Sequence, residues 1–262
     1  PSTFVIDLAE RLASIAKVWV KASPEDMQKL GGFCRRLGRY RKRGLTEKNR
    51  KVIRILQDPT MRRKLLDLPA QLMAEADSQT GARYGAAVLA QIAVAIQILI
   101  VAPMRMANLA SLSLERNITF ATDGSVHFSI PDHDVKNDVP LDYPLPAAVG
   151  DMIKHYLEQH RPLLHGSKTE WLFPGERDGH KGEATLASQI TEHIQRKLDI
   201  HITPHQFRHI AAAIILDREP GNYELVRRVL GHKKLQTTIN SYVGLETGAA
   251  VRQYAALVLG DG

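Results

Sequence analysis

Nineteen consecutive residues, GAAVLAQIAVAIQILIVAP (85–103), carry no charged side chain. A segment this apolar must be withdrawn from water along most of its length. A bilayer or the other helices of the same chain would do that. Gln91 and Gln97 interrupt the run and Pro103 stops it, so 82–102 reads as a buried helix rather than a membrane span. A helix buried all round needs several amphipathic partners, and the rest of the chain must supply them.

Residues 3–20 place Phe4, Ile6, Leu8, Leu12 and Ile15 at helical spacing. Ser23-Pro24 opens a second helix, with Ser as cap and Pro in the first turn. The stretch GRYRKRG (38–44) reads as a basic loop, and Thr46 opens a third helix to about Gln57. Asp58-Pro59 starts a fourth, predicted to bend or break at Pro69. A short helix follows the Pro103 turn. The period then changes: NITFATDGSVHFSIPDHDVKNDVPLDYPL alternates apolar and polar residues around Asp123-Gly124, a hairpin signal. After Pro146 the pattern is helical again, with loops around 161–182. The predicted class is mainly α with a small antiparallel sheet (α+β). Its expected domains are a small helical one over 1–57 and a larger one over 58–262.

The net charge is +7 and the pI about 9.5. Thirteen Lys and Arg lie between Arg35 and Lys64, opposed only by Glu47 and Asp58. Cations packed this densely repel one another unless an anion is present, which points to nucleic acid. Arg39, Arg41, Lys42, Arg43, Lys48, Arg50 and Lys51 are the candidate DNA contacts. Cys34 is the sole cysteine, so an intramolecular disulfide and a Cys-based zinc site are excluded, and a reducing cytoplasm is expected. The chain opens at Pro1 and displays no signal-peptide pattern.

In ITPHQFRH (202–209), Thr203 and Pro204 suit the start of a helix, and His205 and Arg208 then share a face. His205 and His209 stand four apart, as zinc ligands can. However, Gln206 occupies the place where a zinc-protease motif has Glu, and Arg208 would oppose a cation. Asn222 caps the next helix, YELVRRVL, and Gly231 ends it, which sets His232 at a corner. A short helix with Leu235 and Ile239 as its scaffold then presents Tyr242. In isolation, His232 and Tyr242 would read as packing residues.

Taken together, HQFRH, LGH and TTINSY make the C-terminal half resemble the catalytic domain of the tyrosine recombinases, the phage integrase family. Arg208 precedes His232 by 24 positions and His232 precedes Tyr242 by 10, in the order and spacing of that family. APMRMANLASLSLE supplies the family's earlier arginine as Arg105, with Asn108 where an acidic residue is usual. Lys136 in DHDVKNDVP, the only Lys between Arg105 and Lys154, fills the place of the family's hairpin lysine. The resemblance covers about 58–246. Residues 1–57 look like part of the family's helical DNA clamp and are short for a whole one, so N-terminal sequence is expected to be missing.

The resemblance implies a site-specific recombinase that cuts and rejoins DNA through a 3′-phosphotyrosyl link. Tyr242 would be the nucleophile and His205 would take its proton. Arg105 and Arg208 would grip the phosphate, His232 would donate a hydrogen bond to it, and Lys136 would protonate the leaving 5′ oxygen. No metal, ATP or organic cofactor is implied. The implied partners are double-stranded DNA and further copies of the chain in a tetramer on two sites, with no membrane. A helix at about 247–259 would dock on the neighbouring copy through Val251, Leu257 and Val258, with Tyr254 read as packing. A type IB topoisomerase-like DNA relaxation activity and an inactive DNA-binding protein are the alternatives.

Overall fold

The computed structural model describes residues 2–40, 44–79, 81, 83–136, 138–164 and 168–260. The chain divides into two compact units, Pro1–Gly44 and Leu45–Gly262. The first contains α1 (Thr3–Ile15), which runs into a π turn at Ala16–Val20, and α2 (Pro24–Gly38). Both helices are capped by serine: Val5 N donates to Ser2 Oγ at 3.4 Å and Asp26 N to Ser23 Oγ at 3.1 Å.

The second unit holds α3 (Glu47–Gln57), α4 (Pro59–Ser78), α5 (Arg83–Val101) and α6 (Met106–Ala110). Then come β1 (Ile118–Phe120), β2 (Val126–Ile130) and β3 (Leu141–Leu145). Next is α7 (Ala147–His155), which continues into a π turn at Tyr156–His160. Helices α8 (Glu183–Leu198), α9 (Pro204–Arg218), α10 (Tyr223–Leu230), α11 (Leu235–Tyr242) and α12 (Thr247–Leu259) complete it. The fold is thus mainly α with one small antiparallel sheet, as expected.

The apolar run is α5, the centre of the core, packed by α4, α7, the following π turn, α8 and α9. Ala87, Ala90 and Ala93 are fully buried, and such small side chains let neighbouring helices approach closely. Each fully buried Ile or Leu, such as Ile92, Ile96 and Leu99, stabilises by about 1.5–3 kcal/mol. Gln91, which marks the run as a core helix, is completely buried and satisfied. Its Nε2 donates to Tyr156 Oη at 3.3 Å and its Oε1 accepts from Lys181 Nζ. By length and composition α5 could cross a membrane, but most of it is covered by the protein's own helices.

Two expectations are corrected. The fourth helix is not broken at Pro69: α4 runs continuously from Pro59 to Ser78. Leu65, Leu68, Leu72 and Met73 are buried along it, and this packing outweighs the backbone hydrogen bond that a mid-helix proline removes. The boundary lies at 44/45 rather than near 57. Val52, Ile53 and Leu56 give α3 an apolar stripe that is buried with α4 and α9, so α3 belongs to the second unit.

The sheet order is β1-β2-β3, with Phe128 opposite Tyr143 and Ile130 opposite Leu141. Alternate residues of β2 and β3 face the core. Leu141 lies directly against the Gly231 corner, where the backbone is left-handed (φ 60°) and an added Cβ would sit 2.3 Å from Leu141 Cδ2. Gly231→Ala therefore meets both strain and a clash, and should lower stability by roughly 1–3 kcal/mol. Urea unfolding midpoints test this, and a midpoint equal to the parent's would contradict it.

Candidate active site

Three segments converge on Arg208. Helix α9 begins with a capping box, in which Gln206 Oε1 accepts from Thr203 N at 2.8 Å. This is the structural use of Gln206, whose Nε2 also donates to Asn49 Oδ1 at 3.1 Å. One turn into α9, Arg208 is 3% exposed. Its Nη1 donates to Pro103 O at 2.8 Å and its Nη2 to Leu230 O at 2.7 Å. The guanidinium thus ties the turn after α5 to the end of α10. Arg105, half-buried, is the N-cap residue of α6, two residues beyond Pro103.

The two arginines repel each other. Burial pushes the pKa of Arg208 down, and Arg105 pushes it further. Burial also lowers that of Arg105. Arginine does not give up its proton at working pH, so the strain persists as a demand for an anion.

The aromatic groups form a chain of rings. His205 and His209 meet edge to face with centroids 4.9 Å apart, and His209 meets Tyr242 at 5.6 Å. Tyr242 lies parallel to His232 at 6.3 Å. His209 Nδ1 is 3.2 Å from Tyr242 Oη, within hydrogen-bond reach. His232 Nδ1 is 2.9 Å from Thr238 Oγ1, and Thr238 is fully buried. Arg227 Nη1 donates to His232 O at 3.1 Å and holds the corner from below.

Tyr242 is only 2% exposed and packs with Ala212, Leu216, Val226 and Leu230. Burial drives its phenol up to about 12, against the pull of Arg208. Burial and neighbouring cations push His209 and His232 down to about 4, and lower His205 as well. The imidazoles are therefore neutral at physiological pH and able to accept protons.

These shifts set an acid sensitivity. A ring whose folded pKa is about 4, against 6.5 ordinarily, binds a proton more readily in the unfolded chain between those values. Stability should therefore fall as pH drops through that window. Thermal midpoints from neutral pH to about pH 4 should show a shallower slope for His209→Asn than for the parent. Equal slopes would mean that the fold does not hold the ring neutral.

The structure brings Arg105, His205, Arg208, His232 and Tyr242 into one neighbourhood. It differs from the sequence reading in which histidine meets the nucleophile candidate: His205 is the more exposed of the two rings on α9, and His209 touches the phenol. Leu235 is 41% exposed, and the buried face of α11 is Thr238 and Tyr242. Neither His209 nor Thr238 was singled out for this part. Their signal was helical spacing, His209 four residues beyond His205 and Tyr242 four beyond Thr238. Lys136 is exposed in the connection between β2 and β3 and is not among the residues whose contacts tie the cluster. Its loop is anchored on both sides, by Asn108 Nδ2 donating to Asp134 O at 3.1 Å and by Lys233 Nζ 3.4 Å from Asp138 Oδ2. Arg39, Lys48, Arg50 and Lys51 are exposed. Arg41, Lys42 and Arg43 lie outside the described residues.

Residues 69–248, more than half of the chain, match the sequence model of the phage integrase family. The chain belongs to that family. This integrase-family chain is also 31% identical over 90 residues to a protein of Sinorhizobium fredii named as an integrase/recombinase, y4qK. That match takes in 34% of this chain and 27% of the relative. Among solved structures, the XerH site-specific recombinase in a post-cleavage complex superposes with a TM-score of 0.55 at 20% identity, over 74% of this chain and 52% of XerH. The XerA recombinase gives 0.50 at 16% identity, over 97% of this chain and 83% of XerA. These likenesses establish the fold. The chain spans about a quarter of the Sinorhizobium relative and about half of XerH.

Proposed function

We propose that this integrase-family chain cuts and rejoins DNA at specific sites, with Tyr242 as nucleophile. The observation that carries this reading is the placement of one buried phenol beside neutral imidazoles and the paired cations Arg105 and Arg208. A phosphodiester bound there relieves the repulsion between the guanidiniums and raises the basicity of the histidines. Tyr242 Oη then attacks phosphorus and its proton passes to His209, with His205 next in the ring chain. The P–O5′ bond breaks, and the leaving 5′ oxygen takes a proton from Lys136. His232 and the arginines hold the non-bridging oxygens. The 3′-phosphotyrosyl link keeps the bond energy for religation by a second 5′ hydroxyl, and no step calls for a metal or cofactor.

A nicked suicide substrate carrying the site tests the reading on a denaturing gel. A covalent protein–DNA band is expected. Its absence with every nicked substrate that the protein binds would overturn the proposal in favour of a DNA-binding protein without catalysis. Relaxation of supercoiled plasmid lacking any such site would instead assign topoisomerase-like action. The work is expected in the cytoplasm, where DNA is accessible.

Assembly into a tetramer on two sites belongs to the same reading. Helix α12 leaves Val251, Tyr254, Leu257, Val258 and Leu259 exposed, so Tyr254 is not packed within its own chain. A cavity of about 490 Å³ lies between Leu65, Leu66, Ile210 and Ile214 and the start of the chain's own α12, where Arg252 Nη2 pairs with Asp217 Oδ1 at 2.6 Å, so the exposed apolar residues further along α12 are what remain for a neighbouring copy. Deleting residues 247–262 should weaken the pairing of DNA-bound complexes more than single-site binding. Gel-shift titrations in which both fall equally would sink the assembly role.

A further inference from the structure

A second group of ligand-type side chains takes no part in the chemistry above. Asp77 stands in the last turn of α4, His155 ends α7, and His160 ends the π turn that follows. His155 Nε2 and His160 Nε2 both point at Asp77 Oδ1, at 2.8 and 2.7 Å. The three ligand atoms all lie within 4.8 Å of one another, and the two rings meet edge to face at 5.5 Å.

We propose that Asp77, His155 and His160 bind a divalent transition-metal ion of the zinc type, which staples the end of α4 to the end of α7. Two imidazole nitrogens and one carboxylate oxygen form a ligand set that zinc accepts, with a fourth position left for water. Calcium and magnesium, which want oxygen ligands, are disfavoured. The π turn is the local cause of the convergence. Its extra residue brings His160 onto the face of His155 at a spacing of five, where an α-helix would turn it away. Such turns recur at functional sites.

Charge points the same way. A carboxylate in the last turn of a helix faces the negative end of the helix dipole, so α4 and Asp77 together call for a cation. The His160 side chain is 7% exposed and its Nδ1 finds no hydrogen-bond partner among the described residues. Asp77 and His155 are partly exposed and leave an entry path. Tetrahedral bonds of about 2.0–2.1 Å need ligand atoms roughly 3.3 Å apart, so the site opens by about half an ångström on binding. Small rotations of the two exposed side chains suffice.

The test uses the whole chain after treatment with a chelator, with Zn²⁺ and Co²⁺ as probes. One equivalent of Zn²⁺ should bind in calorimetry and raise the thermal midpoint, and Co²⁺ should give the visible bands of a tetrahedral nitrogen–oxygen site. Asp77→Asn and His155→Gln change exposed side chains and keep their size. Each should weaken Zn²⁺ binding by more than the ~10–100-fold that loss of an outer-shell partner costs. A parent chain that gains neither a bound equivalent nor a midpoint shift holds only a hydrogen-bonded triad, and the proposal fails. Unchanged binding or cobalt bands in both variants would place the ion elsewhere and also overturn it. Because the readouts are stoichiometry, spectrum and stability, this outcome is independent of whether Tyr242 cleaves DNA.

Discussion

Tyr242→Phe is expected to abolish the covalent protein–DNA adduct and leave DNA binding intact. The substitution keeps the ring that stacks on His232 and packs with Leu216, Val226 and Leu230, so the fold of α11 should survive. Its structural cost is the hydrogen bond to His209, worth about 1 kcal/mol. Its chemical cost is total, because no other atom of the residue can form the bond to phosphorus. The free phenol, raised to about 12, is a poor nucleophile until a neighbouring base takes its proton. In a gel-based time course the band should be missing at every time point, while gel shifts match the parent. An adduct that persists in the Phe variant would show that another side chain attacks.

Arg208→Lys should be nearly as damaging, for two separable reasons. The guanidinium spends two nitrogens on Pro103 O and Leu230 O while facing the site. One ammonium cannot span both carbonyls and also present a planar fork to phosphate. Losing such a preorganised donor should slow cleavage by about 10²–10³-fold. A buried carbonyl left unpaired should also cost about 1–3 kcal/mol of stability. Single-turnover cleavage and denaturant midpoints read the two effects apart. A Lys variant that cleaves at the parent rate would remove Arg208 from the proposed mechanism.

Much of the architecture was legible because it is written locally. The α5 helix follows from an uncharged run closed by Pro103, the hairpin from Asp123-Gly124, and the caps from Ser23, Thr46, Thr203 and Asn222. The errors arise where packing competes with local preference. Pro69 is a breaker by its own chemistry, yet the leucines on either side of it are buried and hold α4 in one piece. Helix α3 follows a basic loop and looks like a continuation of the first unit, yet Val52, Ile53 and Leu56 are buried in the second.

The site divides along the same line. From the amino-acid order alone come the candidates Arg105, His205, Arg208, His232 and Tyr242, their spacing, and the left-handed corner that Gly231 permits. Which of them touch is a tertiary matter. His205 and His209 sit one helical turn apart on the same face of α9, so no periodicity can say which one reaches the phenol. That depends on how α11 lies against α9, and the depth at which Tyr242 settles into the apolar cluster selects His209. Thr238 comes under His232 for the same reason: the face of a short helix that is buried is decided by the helices it packs against, here α9 and α10.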